Sequence, residues 1–169
     1  MNSNMRKHLF TLLLCLTCTV GVRAQDVFLQ IREKAQSGVS DPDANVVMKK
    51  INKFKVDELD YLSMKMKECM PDSSVTFLDR QAFAMNSFLT LYMTTVLKAY
   101  SQPKAFQVKV LQLFMDASYS NPLFNDEDKE VTLSYYSRSD SVTRFSLDTD
   151  WRRAIAAAMA ELKKEEYQF

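Results

Sequence analysis

Histidine, glycine and cysteine are scarce in this chain of 169 residues, which contains one, two and three of them respectively. The only histidine, His8, lies in an N-terminal segment that has the features of an export signal. Without histidine, the remainder has no Ser-His-Asp or Cys-His catalytic group and no ordinary zinc site. With so few glycines it also has no glycine-rich loop that could cradle a phosphate. The sequence therefore favours a non-enzymatic role and predicts no cofactor.

The first 24 residues have the order of a secretory signal peptide. Arg6 and Lys7 supply positive charge, residues 9–20 supply a short apolar stretch, and Ala24 ends a run suited to a signal peptidase. That stretch is too short for a membrane span, which needs about 20 apolar residues. We expect cleavage after Ala24 and export to the periplasm or the extracellular space. The Ala24–Gln25 junction resembles those of many exported Gram-negative bacterial proteins.

Loss of residues 1–24 would leave one glycine, Gly38, one cysteine, Cys69, and no histidine. A single cysteine cannot form an internal disulfide, so the fold must depend on its hydrophobic core. The formal charge of the whole chain is +1, which gives no electrostatic reason to expect nucleic acid as a partner. We expect protein partners, no nucleic acid and no transmembrane segment in the mature chain.

Apolar residues repeat at helical spacing through most of residues 25–169. A sandwich or barrel with many tight turns would need more glycine than this chain has. We therefore predict a single, mostly α-helical domain over residues 25–169, a bundle of about five or six helices. Around residues 130–147 the pattern is ambiguous, and it predicts a short helix followed by an irregular or strand-like segment.

Caps and breaks in the pattern predict where the helices begin and end. The first helix should stop at Gly38, and the second should start with Asp41 as its N-cap and Pro42 as its first residue. Charge within the apolar stripe predicts a kink or break near Lys55–Asp57. The segment 74–100 is apolar around most of its circumference, so we expect a central helix wrapped by the others.

The helix predicted over Pro103–Tyr119 carries two apolar stripes, which predicts contacts on two of its sides. The second stripe consists of four residues: Val108, Leu111, Met115 and Tyr119.

Two aspartates, Asp148 and Asp150, are candidate catalytic residues. A pair of carboxylates can hydrolyse a glycosidic bond without histidine, so one alternative function is a carboxylate-dependent hydrolase acting on polysaccharide. Both aspartates also lie where the N-cap and first turn of the last helix are expected, and capping is the favoured interpretation. The following Trp151 begins an apolar stripe, which predicts that its side chain is buried in the core.

A sulfur-rich run places Met66, Cys69 and Met70 on one helix face. Soft ligands of this kind suit copper(I), so handling of a soft metal is a second alternative function. The favoured interpretation is that these three side chains continue an apolar stripe and fill the core.

Three tyrosines, Tyr135, Tyr136 and Tyr167, lie in polar surroundings, where aromatic anchors of a binding surface are often found. Partial burial with the hydroxyl group reaching water is the competing interpretation. Taken together, the sequence predicts an exported, non-enzymatic helical protein with a binding or accessory role.

Overall fold

A computed structural model describes residues 26–136, 142–164 and 167 of the chain. The predicted signal peptide, residues 1–24, and its cleavage after Ala24 lie outside the described residues. Within the described part the chain forms six α-helices and no strand. The predicted mostly α-helical bundle is thereby confirmed.

The central element of the bundle is its third helix. This helix, α3, packs against α1, α2, α4 and α6, which confirms the central position predicted for segment 74–100. In chain order the six helices are α1 (Val27–Ser40), α2 (Val46–Cys69), α3 (Val75–Ala99), α4 (Lys104–Tyr119), α5 (Lys129–Thr132) and α6 (Trp151–Glu161).

The core is centred on a cluster of buried aromatic rings from different elements. The ring centroid of Phe88 in α3 lies 5.4 Å from Phe114, 5.3 Å from Phe145 and 5.2 Å from Trp151, each in edge-on geometry. Phe54 of α2 also contacts Phe145 and Trp151 edge-on. Such pairs contribute about 0.5–1.5 kcal/mol each beyond their burial. The predicted burial of Trp151 is confirmed, since its side chain is 0% exposed.

Helix α1 continues through Gly38 to Ser40, so the predicted end at Gly38 is wrong. A Cβ atom built on Gly38 would lie only 2.1 Å from Nδ2 of Asn52 in α2. The missing side chain therefore allows α1 and α2 to approach closely. The glycine serves helix packing rather than a turn.

The second helix begins at Val46, four residues after the predicted start at Pro42. Its N-cap is Asn45, whose Oδ1 accepts a hydrogen bond from the backbone N–H of Met48 at 2.9 Å. The carboxylate of Asp41 instead accepts from the N–H of Asp43 within the preceding turn. The prediction was wrong because Asp and Asn both cap helices and both stabilise turns through such local hydrogen bonds.

Helix α2 runs without a break through Lys55–Asp57, so the predicted break is wrong. Burial lowers the pKa of Lys55, and its Nζ donates a hydrogen bond to Oδ1 of Asn86 in α3 at 2.7 Å. Asp57 accepts a hydrogen bond from the hydroxyl group of Tyr135. Charges inside an apolar stripe did not interrupt this helix because neighbouring elements supply polar partners.

After α5, which confirms the short helix predicted in this region, residues 142–150 pass over the bundle without regular structure. We call these residues the crossing segment. The hydroxyl group of Tyr92 in α3 donates to the carbonyl oxygen of Val142 at 2.8 Å. The N–H of Leu147 donates to the carbonyl oxygen of Thr132 at 2.9 Å. Of the two conformations predicted here, the structure shows the irregular one.

None of the helices in the described part of the chain is both long and apolar enough to cross a membrane.

Candidate ligand-binding site

Asp148 lies in the crossing segment and is 2% exposed. Its Oδ1 accepts hydrogen bonds from the backbone N–H groups of Leu123 and Phe124 at 3.0 and 2.8 Å, and its Oδ2 accepts from that of Asp126 at 2.9 Å. This loop includes Asn125, whose φ of 54° lies in the left-handed region. Asp148 therefore holds an irregular loop in place, and its predicted position in the cap of the last helix is wrong.

Asp150 is the N-cap of α6, as the capping interpretation predicted. Its Oδ1 accepts from the backbone N–H groups of Arg152 and Arg153, and also from Nε2 of Gln81 at 3.1 Å. Gln81 in turn accepts from the N–H of Trp151. The carboxylate of Asp150 therefore positions the start of α6 against α3.

Glu58 is a buried acid that the sequence analysis did not single out. Its side chain is 0% exposed, and its Oε1 accepts a hydrogen bond from Nε1 of Trp151 at 2.6 Å. Oε2 has no hydrogen-bond partner among the residues that the structure describes. Burial raises the pKa of Glu58 well above its ordinary value, the hydrogen bond from Trp151 lowers it, and the charge of Asp148 raises it further. The fold therefore favours the protonated, neutral form of Glu58 more strongly than water does.

The sulfur-rich run lies at the C-terminal end of α2. Cys69 is exposed, so the interpretation of this residue as core is wrong. Met66 packs against the core, and Met70 is the half-buried C-cap of the helix. Leu62 is the last fully buried residue of the apolar stripe on α2. The two turns that follow it lie at the surface. In the described part of the chain, no three His, Cys, Asp or Glu side chains form a group that could hold a metal ion.

The three candidate tyrosines lie in different places. Tyr135 is buried, with its hydroxyl group donating to Asp57. Tyr167 is also buried, and Nζ of Lys109 lies 5.1 Å from its ring centroid. Only Tyr136 of the three is half-buried. Tyr135 and Tyr167 are therefore not available as exposed anchors of a binding surface.

An apolar pocket of about 460 Å³ lies between α2, α3, α4 and the crossing segment. We call it the α2–α4 pocket. Small-molecule sites are typically clefts of about 300–1,000 Å³ with mostly apolar walls. The described residues that line the α2–α4 pocket are Val47, Ile51, Tyr92, Met93, Val96, Leu97, Leu111, Met115, Val142, Arg144 and Phe145.

The α2–α4 pocket has a buried inner end and an open rim. Ile51 and Phe145 are 2% and 1% exposed, whereas Val47 and Leu97 are 48% and 71% exposed. A ligand could therefore enter from solvent and bury its far end against the core. Met115 on one wall is unbranched and adapts readily to the shape of an apolar group.

Polar groups at the α2–α4 pocket are few. Arg144 is the one charged side chain among the described residues that line it. The hydroxyl group of Tyr92 is engaged by the carbonyl oxygen of Val142. Burial raises the pKa of Tyr92, and the positive charge of Arg144 lowers it by a smaller amount. The described walls of the pocket are therefore apolar except for Arg144 and the hydroxyl group of Tyr92.

The second stripe of α4 was the sequence signal for this pocket. Leu111 and Met115 line its wall, while Val108 and Tyr119 are 61% and 52% exposed. Helix α4 packs against both α3 and α6, so the predicted contacts on two of its sides are confirmed, and the ring centroid of Tyr119 lies 5.5 Å from that of Tyr136. Apolar surface on a helix that the rest of the bundle does not cover is typical of a binding site.

Comparison of the chain with protein-family models, with curated proteins and with solved structures gives no match.

Proposed function

We propose that this protein is an exported, non-enzymatic binding protein whose α2–α4 pocket holds a small, largely apolar ligand. The observation that carries the proposal is the pocket itself, about 460 Å³ with one charged residue among its described lining residues. Each Å² of apolar surface removed from water contributes about 25 cal/mol, so an apolar ligand gains most of its affinity from these walls. A concave site with a buried end favours a small ligand over a protein. The protein partner predicted from the sequence stays a prediction, since no observation tests it.

The carboxylates offer less support for the alternative hydrolase. Both oxygens of Asp148 are occupied by backbone N–H groups, and Asp150 caps α6. A general acid or nucleophile must reach the substrate, whereas the buried side chain of Asp148 faces the protein interior. Binding therefore accounts for more of the observed geometry than hydrolysis does.

Binding can be tested with a neutral, apolar fluorescent probe such as N-phenylnaphthylamine, whose emission rises in an apolar site. We expect saturable binding of one probe per chain to the purified protein. Met115→Trp should abolish it, because the larger ring fills the α2–α4 pocket. Val108→Trp is the matched control, since Val108 lies on the same stripe of α4 but is not among the pocket's lining residues.

Circular dichroism and a melting curve show whether each variant is folded. Unsaturable binding, or equal binding by the wild type and a folded Met115→Trp variant, would contradict the proposed function. Export is tested separately by the intact mass of the secreted protein, which should begin at Gln25. A secreted chain that retains Met1 would contradict cleavage after Ala24.

A further inference from the structure

We infer that Glu58 acts as a pH-sensitive switch for the α2–α4 pocket. While its carboxyl group keeps a proton, the crossing segment stays packed on the core and Phe145 stays in the pocket wall. Loss of the proton opens the crossing segment and weakens ligand binding. The effect on binding rests on the proposed function, whereas the opening of the segment does not.

The surroundings of Glu58 suit its protonated form and not its ionised form. The side chain is 0% exposed, and Oε1 accepts one hydrogen bond, from Nε1 of Trp151 at 2.6 Å. Oε2 has no partner in the described part of the chain. A buried carboxylate needs several donors to replace the water that it has lost. One donor does not replace that water, so a charge on Glu58 favours any conformation that lets solvent in.

The charges near Glu58 act against its ionisation. The carboxylate of Asp148, in the crossing segment, raises the pKa of Glu58 in addition to the larger effect of burial. Tyr61, one turn along α2, stays neutral because burial and the neighbouring acids raise its pKa. Its hydroxyl group donates to Asp126, which pairs with Lys65 at 3.1 Å. An ionised Glu58 therefore repels Asp148, and with it the crossing segment.

The chain from residue 145 to residue 151 connects Glu58 to the pocket wall. Phe145 lines the pocket, and its ring centroid lies 6.3 Å from that of Trp151, the residue that donates to Glu58. Asp148 lies between Phe145 and Trp151 in the sequence. A displacement that separates Asp148 from an ionised Glu58 therefore also moves the chain that carries Phe145.

The crossing segment is the element best suited to open. Glu58 itself lies in the 24-residue helix α2, whereas the crossing segment has no regular structure. The N–H of Leu147 donates to the carbonyl oxygen of Thr132, and the N–H of Ser146 donates to Oγ of Ser118. Segments outside the core helices open locally at a lower free energy than the whole fold. Opening here lets water reach Glu58 while the helices stay folded.

Proton linkage gives the sign and size of the effect. In the closed form burial raises the pKa of Glu58 above 4.5, and in the open form water returns the pKa towards that value. The closed form therefore binds more protons, and opening becomes more favourable as pH rises. One group changes the opening equilibrium by at most about tenfold per pH unit in this window. Below pH 4.5 both forms are protonated and the closed form keeps its full stability.

The opening is tested by amide hydrogen exchange, followed by NMR, at pH values from about 5 to 9. The exchange rate of the Leu147 N–H in the wild type is divided by its rate in Glu58→Gln, so that the effect of pH on the exchange chemistry cancels. We expect this ratio to rise by up to about tenfold per pH unit. For Glu33→Gln, the matched control at an exposed site in α1, the ratio should stay constant.

Urea separates local opening from complete unfolding, because the effect of urea grows with the surface that is exposed. Exchange of the Leu147 N–H should depend weakly on urea, and exchange of the N–H of Leu89, a buried residue of α3, should depend on it strongly. Equal opening free energies and urea dependences at the two sites would overturn the switch. A constant ratio between the wild type and Glu58→Gln would do the same. Glu58→Met, which also lacks the ionisable group, replaces Glu58→Gln if that variant does not fold.

The effect on the pocket is tested with N-phenylnaphthylamine over the same pH range, with circular dichroism to show that the helices stay folded. Because only the closed form has the complete wall, the apparent Kd of the wild type should rise by up to about tenfold per pH unit once the open form dominates. Glu58→Gln should keep one affinity throughout.

The outcomes separate this inference from the proposed function. If Leu147 opens as expected but probe affinity does not change with pH, Glu58 does not control the pocket and the inference is wrong, while the binding function stands. If the wild type binds no probe at any pH, the proposed function fails. The exchange of Leu147 then still decides whether Glu58 opens the crossing segment.

Discussion

The buried acid Glu58 should make the stability of this protein decrease with rising pH. The carboxyl group is fully buried, and one of its oxygens accepts from Trp151 Nε1 while the other has no partner in the described part of the chain. Burial, the largest effect, raises its pKa above the ordinary value of 4.5. The perturbation that tests this reasoning is Glu58→Gln, which keeps an acceptor for Trp151 and removes the ionisable group.

The magnitude follows from proton linkage. Between pH 4.5 and the raised pKa, the folded protein keeps a proton on Glu58 that the unfolded chain has lost. The folded state therefore binds more protons, and stability falls as pH rises through this window. The slope from one group is at most about 1.4 kcal/mol per pH unit. Below pH 4.5 both states are protonated and the full stability is present.

The assay is urea unfolding of the wild type and Glu58→Gln at several pH values from 4 to 8, with circular dichroism as the signal for unfolding. The difference in unfolding free energy should move in favour of Glu58→Gln as pH rises from about 5, by up to about 1.4 kcal/mol per unit. Carboxylates remote from Glu58 contribute equally to the unfolding free energy of both proteins, so their contributions cancel. Glu33→Gln, at an exposed site in α1, is the matched control and should follow the wild type. A pH-independent difference between the wild type and Glu58→Gln would refute a neutral, buried Glu58.

Three further substitutions test the packing. Trp151→Ala should lower the unfolding free energy by about 3–5 kcal/mol in urea titrations, since it removes a fully buried ring and leaves Glu58 without its donor; a loss below 1 kcal/mol would contradict the core role. Gly38→Ala should lower the melting temperature because its Cβ would meet Asn52, and adding Asn52→Ala should restore it; a double variant no better than Gly38→Ala would show that the clash is not with Asn52. Cys69→Ser should change stability by no more than about 0.5 kcal/mol, because Cys69 is exposed, and the thiol should react with a labelling reagent in the folded protein; slow labelling would place it in the core.

The helical class was predictable because it depends on local patterns. Apolar spacing and scarce glycine identified the helices, and the apolar circumference of segment 74–100 identified α3 as the central one. The boundaries were less predictable where one residue type has two uses. Asp41 could cap a helix or stabilise a turn, and Gly38 could end a helix or allow close helix packing. Long-range packing, which a local pattern does not contain, decides between these uses.

The candidate site was less predictable than the fold because its residues come from four elements. Asp148 and Asp150 are two residues apart in sequence, yet one binds a distant loop and the other caps a helix. Glu58 lies 93 positions from its partner Trp151, and in the sequence it is one acid among many on a helix. The α2–α4 pocket left only an indirect signal, the second apolar stripe of α4.

The crossing segment joins the buried core to the proposed binding site. The Oγ atom of Ser118 in α4 accepts from the N–H of Ser146 at 3.0 Å and lies 2.8 Å from Oγ1 of Thr149, all in buried surroundings. These contacts fix the crossing segment at Ser146, one residue after Phe145. Phe145 belongs both to the aromatic core and to the pocket wall. Because buried hydrogen bonds fix this wall, the proposed binding would require little ordering of the chain.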